Sequence, residues 1–302
     1  MMRRAATIVI TASCLALLLA VSGCEEDADG FGNPQMHAQK QQSWAFDVSL
    51  PVILDVESSN GEIVVIGGAE RTVLEATATC RTRGRTEEEA EERLGRLVCT
   101  AEQVGDRVEL RYLADEQDDD VRRFSGVDFR VATPSEGRLL LRTANGEILV
   151  EAMHGNVTAS TSNGAIDVMD VEGSIFVTSS NGRLHIVRIA GDVRGRTSNG
   201  EAWLEDVVGA VDVTSSNGGL YYLGRPIGTA NRLDTSNGSI TVRIPEDAHV
   251  ALDASTSRGS IRTSLPLLGD LEGPAWQAEL NPPVDAAMSL HTSNGSIRID
   301  GL

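Results

Sequence analysis

A catalytic centre would need a nucleophile beside a general base, or two acidic and basic groups held together on one face. The sequence has no nucleophile-elbow motif, and four of its histidines are widely spread: His154, His185, His249 and His291. Arg183 and Glu201 could form one charged pair, but the equivalent position 18 residues later is Gly219. The sequence therefore predicts no catalytic residues, and we expect the protein not to be an enzyme.

The N-terminus carries a second kind of chemistry. Arg3 and Arg4 precede a mostly apolar run that ends at Val21, which is typical of an export signal. The following Ser22-Gly23-Cys24 completes a motif that resembles a bacterial lipobox, in which the signal is removed and the cysteine is lipidated. An ordinary cleaved signal and an uncleaved anchor are the alternatives. We predict a lipoprotein signal peptide over 1–23 and lipidation at Cys24.

Two further thiols remain if Cys14 is discarded with the signal and Cys24 carries lipid. Cys80 and Cys99 flank a helix-like stretch of an exported domain, so a disulfide across a short loop is the simplest expectation. Metal binding is the poorer interpretation, because two cysteines without a nearby histidine do not complete a tetrahedral zinc shell. An acidic loop over 116–120 is expected to be solvated. We predict no metal site and no cofactor.

Composition limits the classes of partner. Asp and Glu number 44 against 26 Lys and Arg, which gives a formal net charge of −18. Such a charge repels a phosphate backbone, so nucleic-acid binding is not expected. A hydrophobic content of 41% over 302 residues is enough for a packed core and excludes general disorder. Residues 24–44 are acidic and Gln-rich, and they predict a flexible tether.

An Asn-Gly dipeptide recurs every 18 residues, which indicates a repeat architecture. The corner asparagines of this pattern are Asn145, Asn163, Asn181, Asn199, Asn217, Asn237 and Asn294, and Asn60 begins the same pattern upstream. Each other position of the period also keeps its residue type, for example Ile148, Ile166 and Leu184. We expect the asparagine amides to satisfy one another in a structural ladder, with glycine allowing a left-handed backbone at each corner.

Two architectures could produce this period. Asn-Gly alone favours an antiparallel meander of hairpins. Columns of like residues favour a parallel solenoid, because stacked coils place equivalent residues directly above one another. We therefore predict an all-β fold, a parallel β-solenoid (β-helix) with about 18 residues per coil. A small α/β insertion, with a helix capped by Thr86, is expected near its N-terminal end.

The period also divides the chain into segments. A solenoid domain is predicted over 45–302, with these parts: an α/β insertion over 71–133, regular coils over 137–262, a loop insertion over 264–285 and a last coil over 286–302.

One face of the predicted solenoid is unusually apolar. Its outward positions form a candidate binding surface, which consists of His185, Val187, Trp203, Tyr221 and Leu223. The outward positions of the opposite sheet are more polar, with Phe176 as the exception. The alternative is that the α/β insertion or the 264–285 segment covers this strip.

The Thr-Ser-Asn-Gly columns, the helix-bearing insertion, Ile244-Pro245-Glu246-Asp247-Ala248 and the closing Ser293-Asn294-Gly295-Ser296-Ile297 carry a family resemblance. The chain resembles the bacterial β-strand-repeat family called putative adhesins, and it is similar to the head domain of autotransporter adhesins of that name. The resemblance covers about 45–302. It implies adhesion, and it brings no catalytic residues.

Taken together, these features predict a lipid-anchored protein of the bacterial cell envelope, at the outer membrane if the organism is diderm. It would attach to the membrane through its N-terminal lipid and present the solenoid for adhesion or for binding an envelope glycan or a surface protein. A structural envelope scaffold is the alternative, and a polysaccharide-processing β-helix enzyme is a more distant one.

Overall fold

A computed structural model describes residues 20–22, 36–113 and 119–302. The predicted lipidation site Cys24, and nearly all of the predicted signal, lie outside these residues. The described chain divides into two compact units, Met1–Gly146 and Glu147–Leu302. Strands dominate both units.

The first unit contains nine strands and two helices within its described residues. In chain order they are β1 (Ala20–Ser22), β2 (Met36–Asp47), β3 (Val52–Glu57), β4 (Ile63–Gly68), β5 (Val73–Gly84), α1 (Glu87–Gly95), β6 (Val98–Val104), β7 (Arg107–Leu113), α2 (Asp119–Phe124), β8 (Ser125–Pro134) and β9 (Gly137–Arg142).

These strands form two sheets. One sheet has the order β1-β2-β5-β8-β4, and the other has the order β9-β3-β7-β6. The α/β insertion is present, since β5, α1, β6, β7 and α2 all lie in the sequence between β4 and its parallel partner β8. Thr86 caps α1 by accepting a hydrogen bond from the Glu89 backbone N–H at 3.2 Å, as the sequence predicts.

Residues 36–44 of the predicted tether belong to β2, and the rest of the predicted tether lies outside the described residues. This strand pairs with β5 in antiparallel register over its whole length. Its sequence is polar, which is why it was predicted to be a tether, but Ala38 and Phe46 are buried. The Lys40 ammonium donates to two carbonyl groups near the end of α1, those of Leu94 (3.0 Å) and Leu97 (2.5 Å). A few anchoring residues thus order a strand whose overall composition resembles a linker.

The second unit is a stack of strand pairs. Its strands are β10 (Ile148–His154), β11 (Val157–Thr161), β12 (Ile166–Glu172), β13 (Ile175–Ser179), β14 (Leu184–Ala190), β15 (Val193–Thr197), β16 (Ala202–Val208), β17 (Val211–Ser215), β18 (Leu220–Leu223), β19 (Asn231–Thr235), β20 (Ile240–Ile244), β21 (Val250–Thr256), β22 (Ile261–Thr263), β23 (Leu268–Asp270), β24 (Ala275–Leu280), β25 (Ala286–Thr292) and β26 (Ile297–Gly301).

The strands alternate between two parallel sheets, so each coil contributes one strand to each. Residues 18 apart are direct neighbours: Ile166 pairs with Leu184, and Leu184 pairs with Ala202. Every pairing between successive regular coils is parallel, which excludes the hairpin meander. The core between the sheets is filled by aliphatic columns, which are almost completely buried. The second unit is therefore a parallel β-solenoid.

A bend with a left-handed backbone shapes four successive coils. The φ angles are 58° at Ala152, 55° at Asp170, 53° at Arg188 and 53° at Asp206. Non-glycine residues adopt this conformation at a cost, so its repetition shows that stacking between coils imposes it. The bend shifts the alternation of the strand, which returns Ile189 to the core three residues after Ile186.

The order of the last coils differs from the chain order. Residues 286–302 form the last coil of the chain, but within the stack β25 lies between β19 and β21, and β26 lies between β20 and β22. The 264–285 segment carries short strands, and β24 pairs antiparallel with the far edge of β21. Since this pairing occupies the outer edge of β21, the chain returns on the inner side, between two coils already formed in sequence.

Candidate functional site

The candidate binding surface lies on the outer side of one sheet of the second unit. The parallel register of β14, β16 and β18 places His185, Trp203 and Tyr221 in one column. Because side chains alternate along a strand, their neighbours Ile186, Leu204 and Tyr222 point into the core. We call the surface formed by His185, Trp203, Tyr221 and Leu223 the aromatic face.

Two stacked rings form its centre. The ring centroids of Trp203 and Tyr221 are 4.1 Å apart, and the ring planes are inclined by 14°. Trp203 is nevertheless 44% exposed. A Cβ atom at Gly219 would lie 3.2 Å from the Tyr221 ring, so the ring lies above this glycine. The pair gives a rigid apolar ridge on the outside of the sheet.

A charged cluster borders the rings. The carboxylate of Asp167 is 3.1 Å from His185 Nδ1 and 3.2 Å from Arg183 Nη2. The Trp203 indole N–H points at the Glu201 carboxylate at 3.5 Å. The aromatic face thus combines an apolar centre with groups that can donate and accept hydrogen bonds.

The sequence predicts that Val187 contributes to the candidate binding surface, but the structure buries its side chain. It occupies an outward position beside Glu205, but it is only 6% exposed because its neighbours cover it. Leu223 is half-buried. The 264–285 segment, proposed as a cover, joins the opposite sheet through β24.

The corner asparagines of the second unit form a continuous chain from Asn163. The amide nitrogen of Asn181 donates to the amide oxygen of Asn163 at 2.6 Å. The next members repeat this contact at 2.7–2.8 Å, and they are Asn199, Asn217, Asn237 and Asn294. In the first unit, Asn145 donates to Asn60 at 2.6 Å in the same manner. The amides therefore hold the coils together, which leaves them little capacity to bind a ligand.

The corner glycines have a different role from the one expected. Gly182 does not have a left-handed backbone. Instead, a Cβ atom at this position would lie 1.6 Å from the carbonyl oxygen of Gly164 in the preceding coil. Ser179 supports the corner, because its hydroxyl donates to the same carbonyl and accepts from the Gly182 N–H. Close stacking of coils, and not φ, requires the glycine.

Cys80 and Cys99 lie opposite each other in β5 and β6. Their Sγ atoms are 2.6 Å apart, both residues are buried, and the structure shows them as free thiols. The contact lowers the pKa of the Cys80 thiol and raises that of Cys99, because Cys99 donates a hydrogen bond that favours the Cys80 thiolate.

A possible catalytic column was not predicted from the sequence. Adjacent strands place Asp234, His291 and Ser255 side by side, and His291 Nδ1 is 2.9 Å from Ser255 Oγ. However, Asp234 is bound to Arg232 at 2.5 Å, and the serine occupies the nitrogen that a triad would give to the carboxylate. The sequence carries no signal for this column, since it arises from the insertion of β25 between β19 and β21.

Two further classes of site are absent from the part of the chain that the structure describes. It contains no group of three or more His, Cys, Asp or Glu side chains placed to hold a metal ion. It also contains no helix long and apolar enough to span a membrane.

Comparisons with known proteins match the chain to one family and to two solved structures. The model of the family Toastrack DUF4097 matches residues 122–300, more than half of the chain. A solved "putative cell adhesion protein" from Clostridium sporogenes is similar at 10% identity, covering 87% of this chain and 100% of that one, with a TM-score of 0.29. A "putative adhesin" from Bacteroides fragilis is similar at 10% identity, covering 87% and 97%, with a TM-score of 0.44. No curated protein matches.

Proposed function

This chain belongs to the Toastrack DUF4097 family, and from that premise we propose that it is a non-catalytic envelope protein that binds a partner protein through the aromatic face. The observation that carries this proposal is the exposed Trp203–Tyr221 stack on a rigid parallel sheet. Large apolar rings exposed on an ordered surface are typical of the residues that dominate binding energy at interfaces.

The geometry of the rings favours a protein over a glycan. A sugar ring binds best against an open aromatic face, but Trp203 and Tyr221 each cover one face of the other. The border of Arg183, Asp167 and His185 offers side chains of both charges, which suits a polar interface rim around an apolar centre. A glycan ligand is therefore the second candidate, and the scaffold without a ligand is the third.

Lipid attachment at Cys24 would place this surface outside the cytoplasm. The support is the export signal and its closing motif in the sequence. In that oxidising compartment, the thiols of Cys80 and Cys99 would form a disulfide, which requires their Sγ atoms to approach from 2.6 Å to about 2.05 Å. The bond would join β5 to β6 across α1.

A binding experiment with a matched control tests the function. The purified full chain is titrated against envelope fractions in which glycans or proteins have been selectively digested, beside the variants Trp203→Ala/Tyr221→Ala and Phe176→Ala. Phe176 is 40% exposed on the opposite sheet, so its loss removes a comparable exposed ring elsewhere. We expect saturable, protease-sensitive binding that only the double variant loses. Glycosidase-sensitive binding would make the ligand a glycan, and binding retained by the double variant would reject the aromatic face.

A further inference from the structure

The first unit contains a pocket of about 470 Å³ at one end of β5. Its lining includes three arginines, Arg81, Arg83 and Arg123, together with His37, Phe124 and Ser125. None of the described residues that line it is an Asp or a Glu. A basic pocket of this kind is unexpected in a chain with a net charge of −18.

The strand register explains how the basic groups come together. Arg81 and Arg83 are two residues apart on β5 and therefore project from the same side of the sheet. His37 of β2 pairs with Arg83, and Gly126 of β8 pairs with Arg81. Gly126 contributes no side chain, and a Cβ atom there would lie 1.9 Å from the Asn60 carbonyl oxygen. The glycine therefore allows the Asn60 backbone to pack closely at the wall of the pocket.

Two of the three arginines have no ion pair among the described residues, so their guanidinium groups can bind a ligand. Arg81 forms an ion pair with Asp128 at 2.6 Å. Arg83 and Arg123 have no carboxylate partner among the described residues, although the Arg123 guanidinium lies 5.5 Å from the centroid of the Phe124 ring. Unpaired guanidinium groups that converge on one pocket repel one another, and an oxyanion between them would remove that repulsion.

His37 adds a polar group on the same side of the sheet as the arginines. It pairs directly with Arg83, and paired residues of neighbouring strands project from the same face. Ser125 pairs instead with the buried Thr82, so its side chain faces the interior of the unit. An oxyanion could accept from the His37 imidazole and from the arginines together.

We propose that this pocket binds a small oxyanion that carries a phosphate or carboxylate group. The volume lies within the range of small-molecule sites. Bidentate contacts from Arg83 and Arg123 would hold the charged group, and His37 would add a further donor. This site is separate from the aromatic face and does not depend on the proposed function.

Calorimetric titration of the full chain tests the site with three probes at equal ionic strength: inorganic phosphate, glucuronate and uncharged glucose. We expect phosphate, glucuronate or both to bind at millimolar concentration and glucose not to bind. Which anion binds distinguishes a phosphoryl ligand from a carboxylate ligand. Loss of one charge-assisted contact in Arg83→Ala or Arg123→Ala should weaken binding about tenfold.

Two further variants separate a site from general charge effects. Arg130→Ala removes an exposed arginine of β8 that pairs with Glu62 outside the pocket, and it should leave binding unchanged. Ser125→Ala changes a side chain on the other side of the sheet from the arginines, so it should also leave binding unchanged. The proposal is overturned if neither anion binds, or if Arg130→Ala weakens binding as much as Arg83→Ala.

Discussion

Each asparagine within the ladder contributes hydrogen bonds that stabilise the fold. Asn181 donates to Asn163 and accepts from Asn199, so Asn181→Ala removes two ladder hydrogen bonds. We expect the free energy of unfolding to fall by about 1–3 kcal/mol, measured by urea denaturation. Asn294 makes one ladder bond, to Asn237, and is followed in space by the Arg258 corner. Asn294→Ala should therefore cost less, and equal losses would contradict a cooperative ladder.

Tyr222 illustrates the opposite case, a buried polar atom that weakens the core. It occupies a column otherwise filled by aliphatic residues, and its hydroxyl has no hydrogen-bond partner in the described structure. Tyr222→Phe should leave stability unchanged or raise it by about 1 kcal/mol at neutral pH.

The pH dependence of the same variant has a defined sign. Burial raises the pKa of the Tyr222 phenol above its unfolded value near 10. The unfolded chain therefore loses this proton first, and the wild type loses stability as the pH rises above about 10. Urea titrations of both proteins from pH 8 to pH 11 should show a smaller loss for Tyr222→Phe. Parallel curves would mean that Tyr222 is not buried as described.

At the scale of elements, the insertion of the last coil has a measurable consequence. β25 and β26 lie inside the stack, between strands that precede them in the sequence. Their amides should therefore exchange hydrogen as slowly as those of β19 and β20. The short edge strand β22 should exchange faster. Mass spectrometry of exchanged peptides distinguishes an inserted last coil from one that follows the chain order, because a last coil at the end of the stack would exchange quickly.

The same coils show how far the sequence can specify an element. The 18-residue columns predict parallel stacking, and they place Trp203 beside Tyr221. They do not predict the order of the last two coils, because Leu252 and Met288 fill the same column with similar residues. Arg258 is the one available signal: it replaces the corner asparagine in the coil where the ladder ends.

Local packing lies beyond such patterns. Val187 occupies an outward position by period, yet its neighbours cover it. The basic pocket joins β2, β5, β8 and α2, whose residues are far apart in sequence, so neither its arginines nor Ser125 could be grouped in advance. The sequence does not predict strand β2, because its composition is that of a linker and its only buried apolar residues are Ala38 and Phe46.

For the whole molecule, the proposed lipid determines location. The acyl chains on Cys24 would contribute about 0.8 kcal/mol per buried CH₂ group to membrane attachment. Cys24→Ser should therefore move the protein from the membrane pellet to the soluble fraction, measured by immunoblot after cell fractionation. Trp203→Ala serves as the control and should remain in the pellet. A serine variant that stays in the pellet would indicate an uncleaved anchor instead.

Cross-linking in intact cells tests most directly whether the aromatic face docks a partner protein. A photoreactive benzophenone residue is placed at position 205 in one strain and at position 176 in another, so that Trp203 and Tyr221 stay intact. Glu205 lies two residues from Trp203 on the same strand and is exposed, whereas Phe176 is exposed on the opposite sheet. We expect a discrete cross-linked species of higher mass from position 205 and none from position 176. The same species from both positions, or from neither, would contradict docking at the aromatic face.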